Sequence, residues 1–434
     1  MAQGKLKILE WKNTSAAERR RLFLRAPADV EKVQAGVAHW IERVRREGNA
    51  ALLAYTQKFD NPDFDLKNLR VSDEEVRAAY KMIPENLLKV FKEQIRISKT
   101  FHEKVAESLP RFFEVENIQG LKAGYKRVAL DSAGLYVPAG KAPLPSTAQM
   151  LGVAAKAAGV PRTAACFPPT ARHEAIIVCA KEAGVDEIYR VGGIAAIAAL
   201  ALGTETIKPV AKIAGPGSIY VQAAKLQLVA EVGIDMFSGP SEIMVLADES
   251  ADASYIAADI LGQCEHGPDS AAMLVTTSRQ LAEAVAAAIH AQQGVLSRQD
   301  YMEKALEGFS AAIIVANVQE MIDVANSYGP EHLEIMVKDA EKLFEKIRHA
   351  GSVFIGNFAP VAAGDYASGT NHCLPTGRAV QWASPVSPET FMKSVQFQKV
   401  SKEALTQLEP MISAVAELEG LTAHRESVRI RVKK

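Results

Sequence analysis

Apolar positions recur at steps of three and four over the first hundred or so residues. Val30, Val33, Val37, Trp40, Ile41 and Val44 make one stripe, and Pro84 opens a second helical stretch carrying Leu87, Leu88, Phe91 and Ile95. This spacing predicts amphipathic helices whose apolar faces are core, with no catalytic signal. From about Gly134 the pattern changes. Short β-rich runs alternate with Ala-rich helical runs: GLYVP before a helix from Thr147, AACF before a helix from Arg172, and EIYRV before Ile194–Leu202. KIAG, IMVLAD, AMLVTT and AAIIVA continue the series, each followed by a helical stretch. Such βαβα alternation predicts mostly parallel sheets covered by helices, and so many units overfill a single sheet. There is no fixed-period repeat.

The last fifty or so residues differ again. Pro375–Pro388 is rich in Pro, Ser and Gly and reads as a linker. Leu405, Leu408, Ile412, Val415 and Leu418 then mark a helix, Gly420 is placed to cap it, and VRIRV alternates as a strand. A short amphipathic tail of this kind cannot bury itself alone. It must dock on the body of the chain or on a second copy.

A length of 434 residues implies two or more domains. With 50 basic and 51 acidic residues and no long block of one sign, nucleic acid and anionic membranes are excluded as main partners, which leaves a small molecule. Cys166, Cys179, Cys264 and Cys373 form no C-x-x-C pair, so neither a disulfide framework nor a thiolate zinc site is expected. The N-terminal stretch lacks a secretory apolar region, and the longest apolar run, around Ile194–Gly203, is about half a membrane span. These features predict a cytoplasmic protein.

Candidate chemistry sits at the junctions of the pattern. Gly192-Gly193, Gly215-Pro216-Gly217 and Gly239-Pro240-Ser241 follow strand-like runs. They fit either a phosphate at a helix start or plain βα turns, and no complete G-x-G-x-x-G fingerprint is present. In DILGQCEHGPDS, Gln263 and His266 stand three apart near a helix end. They fit a shared cation, or a histidine on the helix dipole beside a solvated amide. In YGPEHLEI, Glu331 and His332 fit an acid/base pair or an exposed charged pair at a strand start. GDYASGTNHCLPTG adds Asp365 and His372, and LEGLTAHR adds Glu419 and His424. His102, His290 and His349 lie in charged helical contexts and read as solvated. Four of the nine histidines (266, 332, 372 and 424) thus fall in Gly- or Pro-containing junctions, a pattern that fits an N/O-ligand metal site built from distant segments.

Taken in order, GLYVPAGKAPLPST, KIAGPGS, SGPSEI, QCEHGPDS, GPEHLEI, GDYASGTNH and GLTAHR resemble the motifs of the histidinol dehydrogenase family, over essentially the whole chain. The resemblance implies zinc bound by Gln263, His266, Asp365 and His424. It implies Glu331 and His332 as the acid/base pair, and substrate contacts from Ser241, His372 and Glu419 as well as from the metal ligands. The implied reaction is the four-electron oxidation of L-histidinol to L-histidine through the aldehyde, consuming two NAD⁺, in a homodimer whose tail completes the partner's site. Tyr136 matches one cofactor contact. Ala195 and Ser218 stand where the family commonly has Gln and Asn, which implies weaker NAD⁺ binding or a changed cofactor pose. A related zinc/NAD dehydrogenase acting on another small amino-alcohol or diol is the alternative.

The expected fold is α/β, with two Rossmann-like parallel-sheet domains, a helical N-terminal extension and a small C-terminal one. The expected division is an extension over 1–25, a discontinuous first domain over 26–133 and 240–375, a second over 134–239, and a linker and tail over 376–434.

Overall fold

The computed structural model describes residues 6–24, 30–139, 143–169 and 173–433. Gly140, Lys141 and Ala142 of GLYVPAGKAPLPST, and Arg172 as a helix start, lie outside the described residues, as do residues 1–5 and 25 of the expected N-terminal extension. In chain order the strands are β1 (Lys7–Glu10), β2 (Phe112–Ile118), β3 (Leu121–Ala129), β4 (Ser132–Tyr136), β5 (Arg162–Phe167), β6 (Glu187–Arg190) and β7 (Lys212–Ala214). They continue with β8 (Gly233–Ile234), β9 (Glu242–Ala247), β10 (Ala271–Thr276), β11 (Ala311–Ile314), β12 (His332–Met336), β13 (Ser352–Ile355) and β14 (Met392–Val400).

Two parallel sheets form, as the alternation predicts. One has the order β6-β5-β4-β7-β8 and the other β1-β11-β10-β9-β12-β13. In each, the first strand of its series (β4 or β9) is central, the next two step to one side and the last two to the other. Both therefore share one doubly wound order, with β1 added at an edge of the larger sheet. Strands β4, β9 and β10 are buried at every position, as expected for sheets covered on both faces. The helices Val30–Glu47, Asn49–Phe59, Asp73–Met82 and Glu85–Ser108 share cores with the five-stranded sheet: Val37, Trp40 and Leu52 on one face, Phe91 on the other. The expected division groups these residues with 240–375 instead.

Three features differ from the pattern-based reading. Lys7–Glu10 is an edge strand in a region read as helical, recruited by pairing with β11. β2, β3 and β14 form an antiparallel sheet outside the βαβα series, although Phe113 and Val115 on β2 and Val395 and Phe397 on β14 alternate as strand residues do. VRIRV is not a strand: Thr422–Val432 is a helix. A terminal strand with no neighbour leaves its backbone unpaired, whereas a helix bonds internally. Arg425 and Arg429, one turn apart, also reach Glu417 at 3.5 Å and Glu409 at 3.0 Å on the preceding helix, Lys402–Leu418. Among the described residues no helix is long and apolar enough to cross a membrane.

The chain passes from β8 directly into β9 through residues 235–241. The finishing edge of the smaller sheet therefore meets the starting edge of the larger one. The helix Ala253–Cys264 returns to that same starting edge. Its 12 residues span about 18 Å, close to the roughly 20 Å of the six-residue β9 that precedes it. An Asp252 cap on Ser254 N at 2.7 Å fixes where the helix begins.

Candidate active site

Parallel pairing of β12 with β9 sets His332 against Ile243 at the starting edge of the larger sheet. The Glu242 peptide then serves both expected acid/base residues. Its N–H donates to Glu331 Oε2 at 2.8 Å, and its carbonyl accepts from His332 Nδ1 at 3.0 Å. A carbonyl oxygen only accepts, so Nδ1 carries a proton and Nε2 is the atom left to act. Nε2 is buried with no hydrogen-bond partner, and Asp365 Oδ1 stands 4.0 Å away. Glu331 Oε2 is 3.4 Å from Nδ1, and Phe354 stacks on the ring. Burial opposes charge on His332, but the Glu331 carboxylate, with Asp365 adding to it, outweighs burial and raises the imidazole to about 9.

His372 joins this group from the segment after the helix Val361–Tyr366, which carries Asp365. Its Nδ1 lies 3.2 Å from the Asp365 carbonyl and its Nε2 3.4 Å from Thr147 Oγ1, on a helix of the other sheet's layer. Burial holds its pKa below the ordinary value. Ser241 sits immediately before β9, beside the Glu242 peptide, and its carbonyl accepts from Ala271 N at 3.0 Å. Asp365 lies in a short helix, where the sequence shows no period.

The expected metal ligands are only partly gathered. Gln263 is buried near the end of Ala253–Cys264, with Nε2 lacking a partner, and His266 is exposed one turn later. Burial, and then the charges of Asp365 and Glu265, hold the Tyr366 hydroxyl above its ordinary pKa. An amide, an imidazole and a carboxylate are donors suited to zinc, one short of four. Glu419 and His424 are exposed at the junction of the two tail helices. Among the described residues no three His, Cys, Asp or Glu side chains gather to hold a metal. The orphaned amide and the donor set are of a kind that fits a cation.

The glycine turns lie at the finishing edge of the smaller sheet, the usual ligand side of such sheets. Gly193 N donates to the buried Tyr136 hydroxyl, and Ile194 N to Tyr55, each at 3.2 Å. Gly193 has φ +53°, and a Cβ there would lie 2.2 Å from the Tyr55 hydroxyl, so only glycine fits. The Gly215 turn is held by Asp235, which accepts Gly215 N at 2.8 Å, and by the buried Lys225, which binds Asp235 and donates to the Gly215 carbonyl at 3.1 Å. Ser218 is exposed at the start of Ile219–Gln227, with no side-chain cap bond, and is free to meet a ligand. The Ala195 methyl is fully buried in the core, so that position presents no side chain to a ligand.

A family model described as histidinol dehydrogenase matches residues 24–432. The chain belongs to the histidinol dehydrogenase family. It is 41% identical to a histidinol dehydrogenase of Thermosynechococcus vestitus over 98% of this chain and 99% of that one. It is 42% identical to one of Methanothermobacter thermautotrophicus over 99% of each. A crystal structure of histidinol dehydrogenase from Elizabethkingia anophelis superposes with a TM-score of 0.93 at 36% identity, covering 100% of this chain and 99% of that one. This is a family of oxidoreductases.

Three buried groups around the candidate site escape the sequence reading. The Glu242 peptide acts through backbone atoms, which no motif marks. Glu334, fully buried, accepts Val361 N at 3.1 Å and contacts Asp259, joining β12 to the helix of Asp365 and the helix of Gln263. His102, read as solvated, is fully buried, and its place in the stripe Phe91, Ile95, Ser98, His102, Ala106 was the available signal.

Proposed function

We propose that this chain oxidises L-histidinol to L-histidine through L-histidinaldehyde, with two NAD⁺ and a bound zinc ion, as the last step of histidine biosynthesis in the cytoplasm. Family membership supports the reaction class. The observation that carries the mechanism is the fixed imidazole of His332, whose Nδ1 is tied to the Glu242 carbonyl while Nε2 is buried without a partner.

Gln263, His266 and Asp365 would hold the metal, with His424 reaching in from a second copy. When bound, zinc would orient the substrate's nitrogens and offset the Asp365 charge that raises His332, leaving the imidazole better able to accept a proton. His332 Nε2 takes the hydroxyl proton, and a bound nicotinamide would supply the acceptor for the carbinol hydride. Glu331, anchored on Glu242 N, then helps deprotonate the water that adds to the aldehyde. Ser241, His372 and Glu419 hold the substrate, with Tyr136 and Ser218 on the cofactor side.

A homodimer with shared sites is supported by what the tail leaves uncovered. No residue of Thr422–Val432 is buried, and Met411, Val415, Leu418, Leu421 and Ile430 are exposed. The second reading, a dehydrogenase for another small amino-alcohol or diol, is favoured by Ala195 and Ser218 alone. NADH formation from L-histidinol that disappears on chelation and returns with zinc is the expected result. No turnover with zinc bound overturns the proposal.

A further inference from the structure

We infer that His102 and Asn371 form a latch that positions His372 from the opposite layer of the molecule; the inference rests on the assignment of His372 to the substrate site. His102 belongs to the helix Glu85–Ser108, which packs against the smaller sheet's layer, whereas His372 follows the last strand of the larger sheet.

The hydrogen bonds define the latch. His102 Nδ1 lies 2.8 Å from the Ser98 carbonyl, which can only accept, so Nδ1 is the donor and Nε2 the acceptor. Asn371 Nδ2 then donates twice, to His102 Nε2 at 3.3 Å and to the Met150 carbonyl at 3.1 Å. Its Oδ1 accepts Cys373 N at 2.9 Å. The Asn371 side chain therefore spans His372, bonding the residue after it while gripping two helices of the other layer. Both latch residues are buried, His102 fully and Asn371 to within 5%.

Two neighbouring contacts run the same way along the same helix. Gln94 Nε2 donates to the Tyr366 carbonyl at 2.8 Å, and Gly369 packs closely on the Ile97 carbonyl. The face carrying Gln94, Ile97, Ser98 and His102 thus grips the segment between Asp365 and Cys373. Burial keeps His102 neutral, as its acceptor role requires. An apolar side chain at 102 removes the acceptor that His102 Nε2 offers one Asn371 N–H in a buried position, a change that frees the carboxamide to turn.

The test is a double-mutant cycle on L-histidinol binding, measured by calorimetry without NAD⁺ on the zinc-loaded protein. His102→Leu should weaken binding about tenfold and leave zinc content unchanged. His102→Gln, which restores an acceptor, should recover most of the loss. Added to His372→Asn, His102→Leu should change binding by less than about twofold, because the latch acts through His372. Multiplying effects in the double variant, or unchanged binding in folded His102→Leu, overturns the latch. Should His102→Leu not fold, Asn371→Ala takes its place in the cycle with the same expectations. A wild-type protein that binds no histidinol sinks the substrate assignment instead. In that event ¹⁵N-histidine spectra decide the latch, since His102→Gln must retain the His372 imidazole signal that Asn371→Ala shifts; an unmoved signal rejects it.

Discussion

The Glu242 carbonyl accepts a hydrogen bond from His332 Nδ1 at 3.0 Å and so fixes which nitrogen of the imidazole faces the site. The bond crosses from β9 to β12, so the pairing of two central strands orients the proposed base. His332→Asn removes Nε2 while leaving a side chain able to donate to the same carbonyl. Turnover is expected to fall about 10²–10⁴-fold, the range for losing a general base. Steady-state rates with parallel metal analysis check this; near-normal turnover at full zinc content removes His332 from the role.

Ser218→Asn should tighten NAD⁺ binding. Asn caps a helix as well as Ser does, so the start of Ile219–Gln227 tolerates it. One added neutral hydrogen bond is worth about 0.5–1.5 kcal/mol, which lowers KM for NAD⁺ about two- to tenfold at unchanged kcat. Ala195→Gln should behave oppositely. Its extra atoms enter a fully buried position, and the expected result is a loss of roughly 1–3 kcal/mol of stability without tighter cofactor binding. Initial-rate kinetics and denaturant melts separate the two.

Two inactive variants should repair each other if the tail completes a second copy's site. His266→Ala and His424→Ala damage different halves of the ligand set. Mixed dimers formed by subunit exchange then carry one intact site, and up to about half of wild-type activity per mixed dimer is expected. Absence of recovery after exchange is proven by differential labelling counts against a shared site.

Asp60 supplies a pH signature. Burial raises its carboxyl to about 6, above the unfolded value of about 3.9. A raised folded pKa gives stability that is full below about pH 4 and is lost as pH rises through 6. Asp60→Asn should therefore match wild type near pH 4 and exceed it at pH 8. Allowing for the part of the side chain that remains solvated, the gain is about 1 kcal/mol. Denaturant midpoints at the two pH values measure it, and an equal gain at both contradicts the assignment.

Much of this was legible from the chain. Alternation of runs such as IMVLAD with Ala-rich helices announces buried parallel strands, because both faces of each strand need apolar cover. Glu331, His332, Asp365 and His372 stand out as polar groups at junctions, and the fold does bring them together. What stayed hidden depends on partners remote in sequence. The alternation in VRIRV is outweighed by Arg425 and Arg429 pairing with a neighbouring helix, and apolar residues of β2 and β14 such as Phe113, Val115 and Val395 lie exposed rather than in a core. His102 shows its role only once Asn371, 269 positions away, is folded against it.

The central claim is a double oxidation at one site, and product stoichiometry tests it most directly. With a limiting amount of L-histidinol, excess NAD⁺ and zinc-loaded protein, the account predicts two NADH per histidinol and L-histidine as the end product. One NADH per histidinol with the aldehyde released, or no NADH from a protein verified to hold zinc, would contradict it.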